Sequence, residues 1–336
     1  MTKFGWKAGS EQFAPTKLLT YAMEAEQAGF DLLAVSDHFQ PWSEEGQAAF
    51  TWTWLGAAAV KTSRIGLGPG VTCPILRYHP AIIAQAAATV SQFAPDRTYL
   101  GLGTGKALNE YAAIGAWPEY EERKKRLCEA IELIRALWSG EDVTYEGQYY
   151  QTRKARLYTP PANAIPLYIS ALVPESARLA GEYGDGLFTV GGKKPELYQN
   201  MLQQFEQGAR AAGKNPARMP RLIELSVEYE QDIDGAIQNH LKYWAGTHVP
   251  ALFNRKIYTP KMSEENGKIV TPEAVKQSGC MSAFAEDHLK FARQYIDLGF
   301  THLIFHSARQ DQRAFIEAYS RDVITQLRKP VSAKAA

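Results

Sequence analysis

Short apolar runs that end on glycine or a polar residue, most of them followed by a stretch with helical spacing, recur eight times along this chain. They fall at 3–9, 32–36, 64–67, 98–102, 166–171, 186–190, 221–229 and 301–305. Strand–helix alternation of this kind builds a parallel sheet covered by helices. Eight repeats close more readily into a (β/α)8 TIM barrel than they spread into an open doubly wound sheet. The expected fold is therefore α/β, a single barrel domain over 1–330 followed by a short tail at 331–336. The helices between the runs carry the expected punctuation. Pro15 opens the first, Leu18, Leu19, Ala22 and Ala25 share one face, and Gly29 ends it. Further helices are predicted at 51–61, 81–93, 121–137, 175–183, 195–212, 272–278, 285–298 and 310–327, with one starting near Ala107. Two stretches interrupt the alternation. The polar and aromatic segment near 139–160 reads as an inserted hairpin. The segment near 244–271 is long enough between regular elements to be a lid or substrate loop.

The apolar fraction of 45% supports a large core, and a net charge of +1 gives no electrostatic reason to expect nucleic acid as a partner. Cys73, Cys128 and Cys280 have no metal-binding spacing and would leave one thiol over in any disulfide scheme, which favours a reducing, cytoplasmic setting. No apolar run reaches the length of a membrane span, and the first ten residues lack a leader-type apolar stretch.

In a parallel barrel the carboxyl ends of the strands share one mouth, where such folds place their chemistry. The second run ends in Ser36-Asp37-His38-Phe39-Gln40-Pro41-Trp42. The others contribute Gly70 to Cys73, Thr104 to Lys106, Ser170 and Ala171, Gly191 to Lys194, Glu228 and His306. An imidazole that titrates near neutrality suits a base that takes a hydroxyl proton. The Gly101-Leu102-Gly103-Thr104-Gly105-Lys106 turn fits neither the phosphate-loop pattern nor the dinucleotide fingerprint. It remains a glycine-rich strand-to-helix turn able to hold an anion or a polar ring edge. No His-x-His pair occurs among the seven histidines, which disfavours a metal hydrolase.

The string Ser36 to Trp42, together with Arg77-Tyr78-His79-Pro80-Ala81, the Gly-Thr-Gly turn and Ala107-Leu108-Asn109-Glu110, resembles the luciferase-like barrel oxidoreductases. The likeness is to the branch that uses the deazaflavin coenzyme F420, and it extends to Asp311-Gln312-Arg313. It implies hydride transfer between F420 and an alcohol or carbonyl substrate. It implies that Asp37 positions the coenzyme, His38 is the base and Trp42 stabilises the transition state. It further implies a non-proline cis peptide at Gly70-Val71 behind the ring, and cofactor contacts from Thr104, Gly105 and Asn109. Cys73, Ser170 and Ala171 are expected to line the same pocket.

Three departures from the family pattern stand out. Lys106 occupies the position of a glutamate that handles a proton at the ring, so it is expected to act in catalysis or cofactor binding with the charge reversed. Leu172-Val173 replaces a Gly-Gly pair. Of three basic phosphate-binding positions, Lys193 matches, one falls near Asn254-Arg255, and the third falls on Gln277-Ser278. Trp42, Lys193 and Arg255 are the expected substrate contacts. A sugar phosphate is thus not implied over another alcohol. The resemblance suggests a homodimer acting on a small molecule. Two rival readings remain open at this stage: an FMN-dependent monooxygenase of the same superfamily, and a non-catalytic barrel with a binding role.

Overall fold

The computed structural model describes residues 2–249 and 256–329. Eleven strands occur in chain order: β1 (Lys3–Ala8), β2 (Leu32–Val35), β3 (Gly66–Pro69), β4 (Leu100–Leu102), β5 (Val143–Glu146), β6 (Gln151–Ala155), β7 (Leu167–Ser170), β8 (Gly186–Val190), β9 (Arg221–Glu228), β10 (Cys280–Met281) and β11 (His302–His306). Eight of them pair in parallel in the order β3-β2-β1-β11-β9-β8-β7-β4. Parallel bridges Leu67–Thr98 and Thr72–Leu102 join β3 to β4, so the ring closes. The expected barrel is present. β5 and β6 form the antiparallel hairpin, and β10 is an added short partner of β9.

Two apolar layers hold the barrel together. Leu32, Ala34, Tyr99, Tyr168, Phe188, Leu222 and Ile304 fill its inside. Leu33, Val35, Leu67, Leu100, Ile169, Leu187 and Phe305 point outward under the helices. This alternation explains why the strands read as continuous apolar runs: both faces are covered. The Trp52 and Trp54 rings are buried, and Trp54 Nε1 donates to the Pro15 carbonyl at 3.1 Å, pinning helix Thr51–Lys61 to helix Pro15–Gln27.

Several boundaries differ from expectation for identifiable reasons. β3 runs to Pro69, because the glycine-rich stretch continues the ladder against β2. The helix expected near Ala107 begins at Glu110. A helix at Ile233–Trp244, capped by Asp232, was not anticipated. Its buried face is Ala236, Ile237, His240 and Trp244, so half of it is imidazole and indole and the apolar signal is thin. The closing helix is interrupted by a π-turn at Ser320–Ile324. There the Ser320 hydroxyl donates to the Ala28 carbonyl and the Thr325 hydroxyl takes the Ser320 carbonyl, so side chains compete with the helical ladder. Within the long segment after Trp244, a 3-10 turn spans Ala245–His248 and a helix capped by Thr259 spans Pro260–Gly267. Among the described residues no helix is long and apolar enough to cross a membrane.

Candidate active site

The carboxyl end of β2 delivers Asp37 and His38 to the mouth of the barrel, and a dense set of partners fixes Asp37. The Thr72 hydroxyl donates to its Oδ2, the Tyr78 hydroxyl donates to Oδ1 at 3.2 Å, and the Arg77 guanidinium lies 3.1 Å from Oδ2. Arg77 also donates to the Asp37 backbone carbonyl at 2.9 Å and pairs with Glu110 at 3.1 Å. Burial pulls the Arg77 pKa down, but Asp37 and Glu110 more than offset it and the net shift is upward. The Arg-Tyr pair after β3, itself held by Glu110 after β4, is therefore the bracing of the acid at β2.

His38 is buried, at 7% exposure. Its Nδ1 lies 3.0 Å from the Gln40 carbonyl oxygen. A carbonyl can only accept, so Nδ1 carries the hydrogen and Nε2 keeps the lone pair in the neutral ring. Two groups meet that nitrogen: Lys106 Nζ at 2.9 Å and Glu11 Oε1 at 3.3 Å. Burial, then the Lys106 charge, pushes the His38 pKa well below its ordinary value. Burial brings Lys106 down to about 8, against the pull of Glu11. Burial raises Glu11, while Lys7 and Lys106 hold it back. The Lys106 ammonium also sits 4.1 Å from the centroid of the Trp42 ring, and that ring lies 5.3 Å from the His38 ring. Acid, imidazole, amine and indole form one cluster.

Beside it lies a cradle of small residues. The Gly70-Val71 peptide is cis. A β-carbon at Gly103 would stand 2.9 Å from Val71 and 3.5 Å from Ser170, so the Gly-Thr-Gly turn lies against Val71 with no side chain between. Gly105 has φ +76° and packs on Cys73, where a β-carbon would come within 2.6 Å of the sulfur. A planar tricyclic ring needs a flat bed of this kind, with polar edges supplied by Thr104, Ser170 and Asp37, so the residues present fit a deazaflavin. Cys73 packs under the Gly105 turn, and burial and then Glu110 push its pKa well up. Asn109 holds the His38 loop. Its Oδ1 accepts the amides of Phe39 at 3.0 Å and Gln40 at 3.2 Å. Ala171 is buried and its amide is spent on the Phe188 carbonyl at 2.9 Å.

Other sequence candidates lie further off. Lys193 follows β8, four places from β2 in the ring order and so across the mouth from His38. Its neighbour Gly192 has φ +79° and rests on Ser278. Arg255 lies outside the described residues. Glu228 is fully buried and bonds Ser307 and the Ala308 amide, which makes it a brace for the loop after β11. His306 is buried, 3.7 Å from Glu224 and edge-on to Trp244. At Leu172-Val173 the Val173 amide donates to the Ser176 hydroxyl at 3.3 Å. Sequence reasoning missed three groups. Lys7 donates to the Gly70 carbonyl at 2.8 Å and pairs with Glu224 at 2.8 Å, inside the top of the barrel. Glu11 reaches His38 from the loop after β1. A lysine and a glutamate inside apolar runs were the available signal.

The family model for luciferase-like monooxygenases matches residues 1–303. The chain belongs to this family. Among curated relatives it is 42% identical to an F420-dependent glucose-6-phosphate dehydrogenase of Mycolicibacterium gilvum (strain PYR-GCK), covering 97% of this chain and 98% of the relative. It is 40% identical to the enzyme of the same description from Intrasporangium calvum, over 98% of this chain and 99% of that one. Among solved structures, an F420-dependent secondary alcohol dehydrogenase in complex with an F420-acetone adduct superposes with a TM-score of 0.92 at 36% identity, covering 96% of this chain and 98% of that one. For this luciferase-like chain, the alternation of strands thus gives the barrel of its family.

Proposed function

We propose that this chain is an F420-dependent oxidoreductase that interconverts a small alcohol and its carbonyl compound. The cluster of His38, Lys106, Glu11 and Trp42 beside the small-residue bed at Gly70-Val71 and Gly103 carries this reading. Bound F420 supplies hydride exchange at its deazaflavin ring. The bed made by Val71, Gly103 and Cys73 would hold that ring, with Asp37 and Thr104 at its edges. His38 then takes the alcohol's proton through Nε2, which faces Lys106 and Glu11 and is the only nitrogen of the ring not committed to a backbone carbonyl. Trp42 walls the reacting carbon and excludes water.

The wall next to Trp42 favours an unphosphorylated substrate. Trp42, Leu108, Trp244, Val249, Ile257 and Ala308 form an apolar cluster there. Ser278, against the Gly192 turn, brings no positive charge. Those six side chains are buried core behind the site, and with no charge from Ser278 a substrate of the simple secondary-alcohol type suits the site better than a sugar phosphate. We further propose a cytoplasmic homodimer, which size-exclusion chromatography with light scattering would test.

The deciding experiment mixes the protein with oxidised F420 and follows quenching of its fluorescence, then supplies 2-propanol or glucose 6-phosphate and follows loss of its absorbance. Quenching at micromolar protein and turnover with the alcohol are expected. Absence of binding overturns the cofactor assignment, and turnover confined to the sugar phosphate overturns the substrate assignment.

A further inference from the structure

We propose that Lys106 is the proton store of this site: the proton that His38 takes from the substrate hydroxyl is passed to the Lys106 amine, and Glu11 neutralises the pair. The proposal rests on the hydride-transfer reading above. Its basis is the crowding of one nitrogen. His38 Nδ1 is committed to the Gln40 carbonyl, so all proton traffic must use Nε2. That nitrogen faces Lys106 Nζ at 2.9 Å and Glu11 Oε1 at 3.3 Å. A lone pair and a carboxylate oxygen repel at that distance, so a hydrogen must lie on one of the two lines. With Glu11 ionised, either the Lys106 ammonium donates to Nε2, or Nε2–H faces Glu11 and the amine accepts. The two arrangements differ by one proton moved along the Lys106–His38 line, with no rotation of any side chain.

The surroundings equip Lys106 for both states. The Trp42 ring face at 4.1 Å stabilises the ammonium. Burial and the Lys7 charge favour the neutral amine, while Glu11, Glu224 and Glu110 favour the charged one. Burial first, then the Lys106 charge and the smaller effects of Arg77 and Lys7, keep the His38 ring neutral at rest. Alcohol oxidation starts with the site one proton poorer, Lys106 being the neutral amine and His38 the neutral ring; the O–H bond breaks, its proton goes to His38 Nε2 and on to Lys106 Nζ, and the C=O bond forms. The carbinol C–H electron pair leaves as hydride to the oxidised deazaflavin, the two-electron oxidant. The alcohol is oxidised, the deazaflavin is reduced, and the proton departs from Lys106 to solvent. Carbonyl reduction runs the same path backwards.

The first test needs no coenzyme. In the coenzyme-free protein with 15N-labelled histidine, the His38 Nε2 shift, assigned with His38→Asn, should show an inflection near pH 8, where Lys106 loses its proton. Lys106→Met should abolish that inflection. Lys106→Arg keeps a cation over Trp42 but holds its proton, and should abolish it as well while retaining the melting temperature. In turnover, kcat/KM for alcohol oxidation should rise through the same pH range in the wild type. Both variants should lose that limb and fall by about 100-fold, with F420 affinity within a few-fold of wild type. A flat His38 shift in the wild type, or an unchanged inflection in the Arg variant, overturns the proposal. Failure of F420 to bind would instead strike the functional reading and leave the titration result standing.

Discussion

The Lys7 ammonium donates to the carbonyl oxygen of Gly70 at 2.8 Å while pairing with Glu224 at the same distance. One buried cation thus ties the end of β1 to the turn after β3 and to β9. Removing it leaves the partly buried Glu224 without its cation, with the His306 ring 3.7 Å away as its remaining polar neighbour. Lys7→Met is expected to cost about 2–4 kcal/mol, because an orphaned buried charge is worse than none. Adding Glu224→Gln should recover part of that loss, and urea unfolding of the two single variants and the double variant would measure the coupling.

Asn109 spends its side-chain oxygen on the two amides that follow His38. Asn109→Ala should cost roughly 1–3 kcal/mol for the lost acceptor and loosen the loop that aims the imidazole. Turnover should fall about tenfold or more, with a smaller change in F420 affinity. Asn109→Asp, which keeps the acceptor, should hold stability better. Equal losses in the two variants would contradict this role.

Gly105 combines a positive φ of +76° with a sulfur where its β-carbon would go. Gly105→Ala should destabilise by about 1–2 kcal/mol from the backbone alone, plus the clash with Cys73. Cys73→Ala in the same background should remove the clash with the sulfur and leave the conformational part together with the tighter contacts to Glu110 Cγ at 3.0 Å and the residue 73 β-carbon at 3.2 Å. Thermal melts of the single and double variants would separate the two.

Stability should fall on mild acidification. Burial, with His240 beside one and Lys3 beside the other, lowers His248 and His302 to about 4 from an ordinary 6.5. Each is neutral in the folded chain, so the unfolded chain binds more protons between those values. The stability they hold is complete above pH 6.5 and is lost as pH drops towards 4. The slope approaches roughly 1 kcal/mol per pH unit for each group. Glu11, raised by burial, works in the opposite sense. Urea midpoints of wild type and His302→Gln between neutral and mildly acid pH should diverge, the variant being the flatter.

The barrel was legible because each strand is covered on both faces, which leaves a run of apolar residues that turns polar where the strand emerges at the mouth. Asp37 and His38 stand at such a transition and were found for that reason. Lys7, Glu11 and Glu224 were not. Lys7 and Glu224 point into the barrel from within strands, and a single charge in an apolar run gives no hint of the partner that compensates it. Glu11 belongs to a loop with no periodicity at all. Helix Ile233–Trp244 escaped because its inner face is built of histidine and tryptophan as much as of aliphatic residues. The bracing of Asp37 by Arg77, Tyr78 and Thr72 was also invisible, since it joins residues 35 to 41 positions apart through space.

The ring order sets β2 and β8 at opposite poles of the opening. A molecule whose carbinol rests at His38 meets Lys193 from the far side of the opening. Compact alcohols would react without ever reaching the lysine, and only elongated ones, anionic at their far end, would gain from it. Binding strength should therefore respond to the reach of the substrate more than to its charge.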